Sequence, residues 1–537
     1  MKIKVAVLLV LLVVVTGYLQ AQTLDYCFVV VGCNRVSKSD VTDASTANVY
    51  HLNRTFLEIS QMNPLPQYLF LSGDIILGYT NGDTVTLASE YAAWIQLYLN
   101  SPLAATSVKL VVMPGNHEVE NNSTATQALV SAERTFVREM LPYIVGSNGP
   151  AATGLVPGTD SLTTDQSQLS YSFNYKNLSD KNDHFVIVDT DPVGRDWRAP
   201  YRWVNTDVTA ARKAGARHIF AIGHKPAYPS GLSPTDGLVM YPYQRDMFWD
   251  ALQSNRSEVM FAAHNHTWDT VHYNNAQPAL STWQVVAGNA GSSPTGGWAA
   301  PYFGYTVVNV YTNGQVIAQS MGRDINAATY TASVPSNPTT LKATVNLTWP
   351  TTIAHTPISN QQNNGPFSSL ATIIDNDTIN SAYLVYSING SVQDTITLTD
   401  SANVYKFTIP AQPDSVIGNV TYRIVAHGST VANYPSSSTY STFAFNSVLA
   451  VIPGLPAADD IKVYPNPTIG TLTIDLSSHK GITAITIQDI NGVSLKNINN
   501  VNSSIVITDI SAFAPGTYFM LFKNALGQQF VKKIIKN

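Results

Sequence analysis

Short apolar runs alternate with amphipathic stretches from Tyr26 to about Arg323. Each run has the length and composition of a buried strand and ends at Gly, Asp or another turn or polar residue. The runs are Phe28–Val31, Tyr68–Leu71, Lys109–Met113, Phe185–Val188, His218–Ile222 and Val259–Ala262. Helices are predicted between several of them, at Thr46–Met62, Ser89–Leu99, Ser131–Met140 and Trp203–Ala214. This alternation indicates an α/β sheet with crossover helices, which binds ligands at the carboxyl ends of its strands.

Beyond about residue 325 the pattern changes to short alternating runs rich in Thr, Ser, Asn and Pro. We interpret 331–366 as a linker with one strand, and 367–453 as a β-sandwich of the immunoglobulin or fibronectin type III pattern. Its predicted strands are Ala371–Ile374, Ala382–Ser387, Asp394–Leu398, Tyr405–Ile409, Val420–Ala426 and Thr442–Phe445. Pattern alone transfers no function, so a spacer is favoured over a binding site. A second linker, Pro453–Ala458, leads into a strand-rich segment, 459–537.

Residues 1–22 have the pattern of a secretory signal peptide. Lys2 and Lys4 precede the apolar run Val5–Val15, whose eleven residues are fewer than the roughly 20 that a membrane span needs. A buried N-terminal strand is the alternative interpretation. No other segment is apolar enough to cross a membrane, so we expect no transmembrane segment and a catalytic domain at 23–330.

Composition narrows the possible functions. Only 12% of the 537 residues are charged, whereas soluble domains average about 25%. Asn, Ser and Thr supply the polarity instead, which is typical of β-rich extracellular modules. The net charge of −5 argues against nucleic acid as a partner, because phosphate binding needs a basic face. The only two cysteines, Cys27 and Cys33, exclude a disulfide framework.

Residues that could carry chemistry follow directly after the predicted strands. The strand-end segments are Gly32-Cys33-Asn34-Arg35, Gly73-Asp74, Gly115-Asn116-His117, Gly223-His224 and His264-Asn265-His266. Imidazole and carboxylate ligands together suit zinc, iron or manganese. Asp74 could bridge two ions, one held by the Asn116 carbonyl, His224 and His264 and the other by His266. Two ions about 3.5–4 Å apart would clamp the attacking and leaving oxygens at phosphorus, with a bridging hydroxide as nucleophile.

These segments resemble, in order, the motifs of the calcineurin-like metallophosphoesterase superfamily, which includes the purple acid phosphatases. The family order is D-x-H, GD, GNH, GH and GHxH, and Ala263 replaces the glycine of the last motif. The resemblance covers about 300 residues. It implies an α/β (α+β) four-layer sandwich, with two mixed β-sheets flanked by helices. C-terminal all-β immunoglobulin-like sandwich domains are expected to follow it.

The resemblance also implies roles for individual residues. Asp74 is implied as the bridging carboxylate. His117 resembles the histidine that protonates the leaving group or orients the phosphate. The other implied metal ligands are Asn116, His224 and His264 on one ion and His266 on the other.

The first motif departs from the family, because Cys33-Asn34-Arg35 stands where Asp-x-His is expected. Arg35 is a permanent cation without a lone pair, so it cannot bind a metal, but it could grip a phosphate through two N–H groups. Cys33 could be a thiolate ligand, which would favour zinc or iron, or simply a small buried residue. Cys27 is six residues away, about 20 Å along a strand, so the two thiols cannot form a disulfide. Cys33 is kept as a candidate metal ligand and Arg35 as a candidate catalytic residue.

Other polar residues near the strand ends have less specific interpretations. Asp189 and Asp191 are expected to cap the loop that follows their strand, and Glu118 to start a helix. The candidates for a substrate pocket are Arg195, Trp197, Arg198 and the loop Tyr228–Tyr243.

The last segment opens with Tyr464-Pro465-Asn466-Pro467, contains Gly516-Thr517-Tyr518 and has Lys532-Lys533 beside the terminus. It resembles the C-terminal sorting domain of the type IX secretion system of Bacteroidetes. The resemblance implies outer-membrane export by that machinery, followed by release or attachment at the cell surface. An ordinary terminal β-domain is the alternative.

The sequence therefore predicts a secreted hydrolase of ester bonds with a phosphoester substrate and two metal ions, Zn, Fe or Mn. It would cleave phosphomonoesters or phosphodiesters by attack of a metal-bound hydroxide, with His117 assisting the leaving group. The altered first motif leaves a second hypothesis open, a catalytically degenerate module of this fold that serves in surface binding. The motifs do not specify the substrate.

Overall fold

The structure is a computed structural model of the chain. It describes residues 23–37, 49–124, 126–150, 160–229, 237–272, 282–325, 338–391, 393–413, 418–436, 439–445, 460–490 and 492–537. The predicted signal peptide, the predicted linker Pro453–Ala458 and residues 230–236 of the predicted substrate loop lie outside the described residues.

Residues 24–346 contain two large sheets and the helices that cover them. The strands are β1 (Leu24–Val31), β2 (Tyr68–Ser72), β3 (Lys109–Met113), β4 (Tyr171–Lys176), β5 (Asn182–Val188), β6 (Ile219–Gly223), β7 (Val259–Ala262), β8 (Trp268–His272), β9 (Trp283–Ala287), β10 (Tyr302–Tyr311), β11 (Val316–Asp324) and β12 (Thr340–Asn346). The α-helices are α1 (Val49–Ser60), α2 (Thr84–Leu99), α3 (Asn116–Val119), α4 (Val130–Met140), α5 (Tyr201–Lys213) and α6 (Pro242–Ser254). Short 3₁₀ helices lie at Pro102–Ala105, Leu141–Tyr143 and Leu238–Met240. Among the helices in the described ranges, none combines the length and the apolarity that crossing a membrane requires.

Both large sheets are mixed. The first has the order β12-β11-β10-β1-β2-β3, with β1, β2 and β3 parallel and β10, β11 and β12 paired antiparallel. The second has the order β4-β5-β6-β7-β9-β8, with parallel central strands and antiparallel edge strands. Parallel strands end at the same edge of a sheet, so the loops that follow them gather there.

The two sheets pack face to face through phenylalanine side chains. The ring centroid of Phe28 lies 5.3 Å from that of Phe185 and 5.1 Å from that of Phe220, and all three rings are fully buried. Alternate residues of β1, from Tyr26 to Val31, join this core or the core beneath the helices. Because both faces of the strand are buried, its residues from Tyr26 to Val31 are an unbroken apolar run, of which the pattern predicts Phe28–Val31 as strand.

Helices cover the outer face of each sheet. Helices α1, α2 and α4 contribute Phe56, Trp94 and Phe136 to the core on the first sheet, and α5 and α6 contribute Val208 and Trp249 to the core on the second. Burial of each phenylalanine contributes about 1.5–3 kcal/mol. The resulting order of helices, sheet, sheet and helices confirms the predicted four-layer sandwich.

The predicted bounds of most elements are close to those observed, and the differences have local causes. Helix α2 begins at Thr84 rather than Ser89, because the Asp83 carboxylate accepts the N–H groups of Val85 and Thr86 and caps the helix. Helix α6 is absent from the predicted helices.

Residues 352–445 form a sandwich of two sheets around one core. Its strands are β13 (Thr352–His355), β14 (Phe367–Ile374), β15 (Ser381–Ile388), β16 (Asp394–Thr397), β17 (Thr399–Ser401), β18 (Val404–Ile409), β19 (Gly418–His427), β20 (Val431–Tyr434) and β21 (Ser441–Phe445). One sheet has the order β13-β14-β18-β17, and the other has the order β16-β15-β19-β20 with β21 also paired to β19. The predicted β-sandwich is confirmed.

The segment 331–366 was predicted as a linker with one strand, and its described part, 338–366, contains two. Strand β12 pairs with β11 in the first large sheet, whereas β13 pairs with β14 of the sandwich. All seven residues of β12 are exposed or half-buried. Leu341, Ala343 and Val345 alternate with polar residues, but this alternation does not show that the strand extends the first large sheet. The exact domain limits stay predictions.

The C-terminal residues form a further pair of sheets around one core. The strands are β22 (Lys462–Tyr464), β23 (Thr471–Asp475), β24 (Ile482–Gln488), β25 (Ser494–Asn499), β26 (Ile505–Asp509), β27 (Gly516–Asn524) and β28 (Gln529–Lys536). The sheet orders are β22-β23-β26 and β25-β24-β27-β28.

Candidate metal centre

The loops after five strands of the two large sheets bring the predicted site residues together. Strand β1 is followed by Cys33 and Arg35, β2 by Asp74, β3 by Asn116 and His117, β6 by His224, and β7 by His264 and His266. Two groups of donor atoms, each spanning no more than 4.8 Å, share the Asp74 carboxylate: Cys33, Asp74 and His266, and Asp74, His224 and His264. Asn116, His117 and Arg35 also contact this cluster.

The Asp74 loop is fixed by a buried carboxylate on the next loop. Glu118 accepts the backbone N–H groups of Asp74 and Ile75, both at 2.8 Å, of Ile76 at 3.1 Å and of Gly115 at 2.7 Å. Glu118 lies in helix α3, as predicted, but its carboxylate also ties the loop after β2 to the loop after β3. This second role was not predicted from the sequence.

Four possible ligand atoms converge on what we call the Oδ1 side of Asp74. His224 Nε2 lies 3.1 Å from Asp74 Oδ1. Asn116 Oδ1 lies 2.8 Å from His224 Nε2 and 2.8 Å from His264 Nδ1. The two imidazole nitrogens are 3.3 Å apart.

The hydrogen bonds around the Oδ1 side favour a cation at its centre. His224 Nδ1 is 2.8 Å from the Ser72 carbonyl oxygen, which only accepts, so the ring proton lies on Nδ1 and Nε2 presents a lone pair. Asn116 Nδ2 donates to the Tyr79 hydroxyl, so the amide presents its oxygen. Lone pairs that face one another and a carboxylate fit a shared cation. The electrostatics of His224 also favour positive charge at this place. Burial alone would lower the pKa of His224, but the negative charge of the Asp74 carboxylate raises it.

The Oδ2 side of Asp74 has different neighbours. Arg35 donates to Oδ2 from Nε at 3.3 Å and from Nη2 at 3.0 Å, and Cys33 Sγ lies 3.9 Å from the same oxygen. His266 Nδ1 is 2.6 Å from the Ser293 carbonyl oxygen, so its Nε2 carries the lone pair. That nitrogen is buried and has no hydrogen-bond partner in the part of the chain that the structure describes. The Oδ2 side thus combines a permanent cation with one unsatisfied imidazole nitrogen.

His117 lies beside the same carboxylate. Its Nε2 is 3.8 Å from Asp74 Oδ2, its Nδ1 donates to the Leu77 carbonyl oxygen, and the Tyr79 ring packs on it with the centroids 4.0 Å apart. Burial lowers the pKa of His117 to about 4, so the ring is neutral at neutral pH. Tyr79 contacts both His117 and Asn116, and no sequence signal marked it as part of the site.

Comparison with known proteins agrees with this geometry. Residues 40–268 match the family model described as calcineurin-like phosphoesterase, and residues 462–537 match the one described as secretion system C-terminal sorting domain. The chain contains a calcineurin-like phosphoesterase domain and a secretion-system sorting domain. Both resemblances predicted from the motifs are confirmed. The phosphoesterase domain belongs to a class of hydrolases that act on phosphoester bonds, and the sorting domain confirms the predicted secreted or cell-surface location.

Solved structures similar to the chain are distant in sequence. A purple acid phosphatase from yellow lupin (Lupinus luteus) is 15% identical, with 60% of this chain and 58% of that one covered and a TM-score of 0.40. A candidate 5'-nucleotidase from Staphylococcus aureus is 12% identical, with 53% and 51% covered and a TM-score of 0.33. The chain thus spans little more than half the length of either structure. No curated protein sequence matches the chain.

A buried ionic cluster supports the Oδ1 side of the phosphoesterase domain. Lys225 Nζ lies 2.6 Å from Asp191 Oδ1 and 2.8 Å from Glu120 Oε1, and 3.4 Å from the ring centroid of Trp197. The Trp197 ring packs edge-on against His264, with the centroids 5.7 Å apart. Asp191, predicted to cap a loop, also accepts the Trp197 N–H at 2.9 Å. The cluster therefore holds an aromatic ring beside a predicted metal ligand, a role the sequence did not reveal.

Four residues of the candidate metal centre have left-handed backbone conformations. Cys33, Arg35, Asp74 and His264 have φ angles of 61°, 46°, 53° and 61°. Such left-handed conformations cost non-glycine residues on the order of 1–3 kcal/mol each, and they cluster at functional sites. Side-chain placement at these four residues is therefore maintained against a local conformational cost.

The remaining residues predicted to contact substrate lie in two places. Trp197 is at the metal centre, as described above. Arg195 and Arg198 line a separate cavity of about 300 Å³ whose wall also includes Arg202 and Tyr243. Asp189 accepts the Asp191 N–H at 2.8 Å, which is the loop-capping contact expected for it.

Proposed function

We propose that the chain is an exported metal-dependent phosphohydrolase that cleaves phosphomonoesters or phosphodiesters. One observation carries the proposal: His224 Nε2 lies 3.1 Å from Oδ1 of the buried Asp74 carboxylate, and Asn116 Oδ1 lies 2.8 Å from both His224 Nε2 and His264 Nδ1. The match of residues 40–268 to the phosphoesterase family supports the reaction class.

The donor set fits a divalent metal ion, because imidazole, carboxylate and amide oxygen together suit zinc, iron or manganese. The ion would be held by Asp74, Asn116, His224 and His264. When bound, it would polarise a phosphoryl oxygen as a Lewis acid. The Ser72 carbonyl and the Tyr79 hydroxyl orient two of these ligands through the hydrogen bonds of His224 and Asn116.

Arg35 is proposed to bind the phosphate. Its side chain is 22% exposed, so it reaches the mouth of the site. Nε and Nη2 donate to Asp74, which leaves Nη1 for a phosphate oxygen.

His117 is proposed to orient the phosphate or assist the leaving group. Its Nε2 lies on the Oδ2 side of the Asp74 carboxylate, the side on which Arg35 also lies. Because burial lowers the pKa of His117 to about 4, the neutral ring accepts a hydrogen bond at neutral pH. It can protonate a leaving group only after it has gained a proton.

Export is proposed to proceed through the type IX secretion machinery, which would recognise the C-terminal sorting domain. The match of residues 462–537 to the sorting-domain family supports this partner.

Hydrolysis of p-nitrophenyl phosphate and bis(p-nitrophenyl) phosphate by the full chain with added Zn²⁺ or Mn²⁺ tests the proposed function. Asp74→Ala and His224→Ala are each expected to abolish the reaction, because both remove ligands of the proposed ion. His272→Ala, which removes an exposed imidazole of the same domain, is the matched control and should keep wild-type rates. Wild-type rates in both site variants would refute the metal mechanism.

A further inference from the structure

We infer that the phosphoesterase domain binds one metal ion, on the Oδ1 side of Asp74, and that the Arg35 guanidinium supplies the positive charge on the Oδ2 side. This inference rests on the proposed function. It replaces the pair of ions expected from the sequence with one ion and one built-in cation.

The Arg35 guanidinium already donates hydrogen bonds to Asp74 Oδ2, the oxygen that a second ion would need as a ligand. Arg35 Nε and Nη2 both donate to Asp74 Oδ2, and Cys33 Sγ lies 3.9 Å from the same atom. A carboxylate oxygen has two lone pairs, and two N–H groups directed at it from a planar fork take up both. A second ion would therefore have to displace Arg35 from Asp74.

The backbone places Arg35 on Asp74. The N–H groups of Asn34 and Arg35 both donate to the Asp74 carbonyl oxygen, at 3.0 and 2.9 Å, and the Cys33 N–H donates to the Gly73 carbonyl oxygen at 3.1 Å. The Asn34 side chain in turn accepts the Trp94 indole N–H at 3.0 Å. These bonds fasten the loop after β1 to the loop after β2, so the backbone from which the Arg35 side chain extends is held beside Asp74.

The surroundings of Asp74 Oδ2 are unfavourable for a divalent cation. Besides Asp74, the candidate donors are Cys33 and His266 and His117 Nε2, which lies 3.8 Å from Asp74 Oδ2. An ion held by them would have to share Oδ2 with the guanidinium that donates to it. A divalent ion at this place would lie next to a fixed guanidinium in a largely buried site, where like charges repel strongly because screening is weak. The Oδ2 side therefore does not fit a second ion.

His266 then takes a different part from the one implied by the family resemblance. Its Nε2 lone pair is fixed by the Nδ1–H bond to the Ser293 carbonyl oxygen, and it has no partner among the described residues. A water molecule or a protonated phosphate oxygen on this side of Asp74 would donate to it. Arg35 and His266 together would thus bind the phosphoester as donor and acceptor, without a metal between them.

The test is the number of ions per chain, measured by native mass spectrometry and elemental analysis after titration of the full chain with Zn²⁺ or Mn²⁺. Wild type is expected to hold one ion. The double variant Cys33→Asp with Arg35→His restores Asp-x-His and is expected to hold two. Arg54→His, which changes an arginine paired with Glu58 on helix α1, is the matched control and should hold one.

If the double variant does not fold, the single variant Arg35→Ala provides the test. It frees Asp74 Oδ2 and should allow a second metal ion to bind, more weakly than the first. Two ions in wild type would overturn the inference, as would a single ion in a folded variant that lacks Arg35. Hydrolysis distinguishes this failure from failure of the proposed function. Two ions with phosphoester hydrolysis refute only the inference, and no ion without hydrolysis refutes both. One ion in wild type without hydrolysis supports the inference on stoichiometry while counting against the proposed function.

Discussion

The two oxygens of the Asp74 carboxylate lie in contrasting surroundings. Oδ1 faces the lone pairs of His224 and Asn116, whereas Oδ2 accepts N–H groups from Arg35. The Oδ1 side is arranged to bind a metal cation, whereas the Oδ2 side already holds the cationic side chain of Arg35. A carboxylate shared by two half-sites can therefore be retained while the partner of one half changes. This explains how the first family motif can be altered at Cys33-Asn34-Arg35 while the candidate ligands of the other motifs are kept.

The Oδ1 and Oδ2 sides of Asp74 also differ in the exposure of the charged residues that support them. The Oδ1 side is backed by Lys225, which is fully buried and paired with Asp191 and Glu120. On the Oδ2 side, the Arg35 side chain is 22% exposed. Removing a partner of the fully buried Lys225 leaves an uncompensated charge, whereas the partly exposed Arg35 stays in contact with water when its partner is lost. We therefore expect substitutions on the Oδ1 side to have the larger effects.

Asp74→Asn should have the largest effect, because it removes the charge that both sides share. We expect kcat/KM for an aryl phosphate to fall on the order of 10³-fold or more, since it loses the carboxylate that positions the proposed ion and Arg35. Asp165→Asn, an exposed aspartate of the same domain, is the control. A folded Asp74→Asn protein within tenfold of wild type would contradict a shared role.

Substitution of one histidine on each side of Asp74 tests whether the two sides have different roles. His224→Gln should reduce kcat/KM about 10³-fold and lose bound metal, because it removes a ligand of the proposed ion. His266→Gln should keep the metal and lose about tenfold, the lower end of the range for groups that act beside a metal rather than on it. Steady-state kinetics with metal analysis of both variants checks this. Equal losses of metal from the two variants would show that the sides are equivalent.

The positions of the site residues were predictable because buried parallel strands are unbroken apolar runs, and polar residues directly after them mark the sheet edge. The connections among those residues were not. Arg35 and Asp74 are 39 positions apart, and the sequence suggested phosphate binding for Arg35 but not its ion pair with Asp74. Glu118, Tyr79 and Lys225 act through loop hydrogen bonds, and loops have no periodicity from which such contacts can be inferred.

The same reasoning applies to the fold. Strands with two buried faces, such as β2, β3 and β7, were predicted nearly to the residue. Strand β12 was not assigned to the first large sheet. Its Leu341, Ala343 and Val345 alternate with polar residues, but alternation does not show which sheet an edge strand joins. Only the observed pairing with β11 places it in that sheet.

The smallest expected effect tests the support behind the Oδ1 side. Trp197→Leu removes the ring that lies 3.4 Å from Lys225 Nζ and packs on His264. A cation–π contact contributes roughly 0.5–2 kcal/mol, so we expect Tm to fall by a few degrees and kcat/KM to fall a few-fold as His264 loses its neighbour. Trp203→Leu on helix α5 removes a half-buried ring that donates to the Asn148 carbonyl oxygen and should lower Tm without lowering kcat/KM. If both variants changed kcat/KM equally, the ring beside His264 would have no positioning role, and the two sides of Asp74 would differ only in their direct contacts.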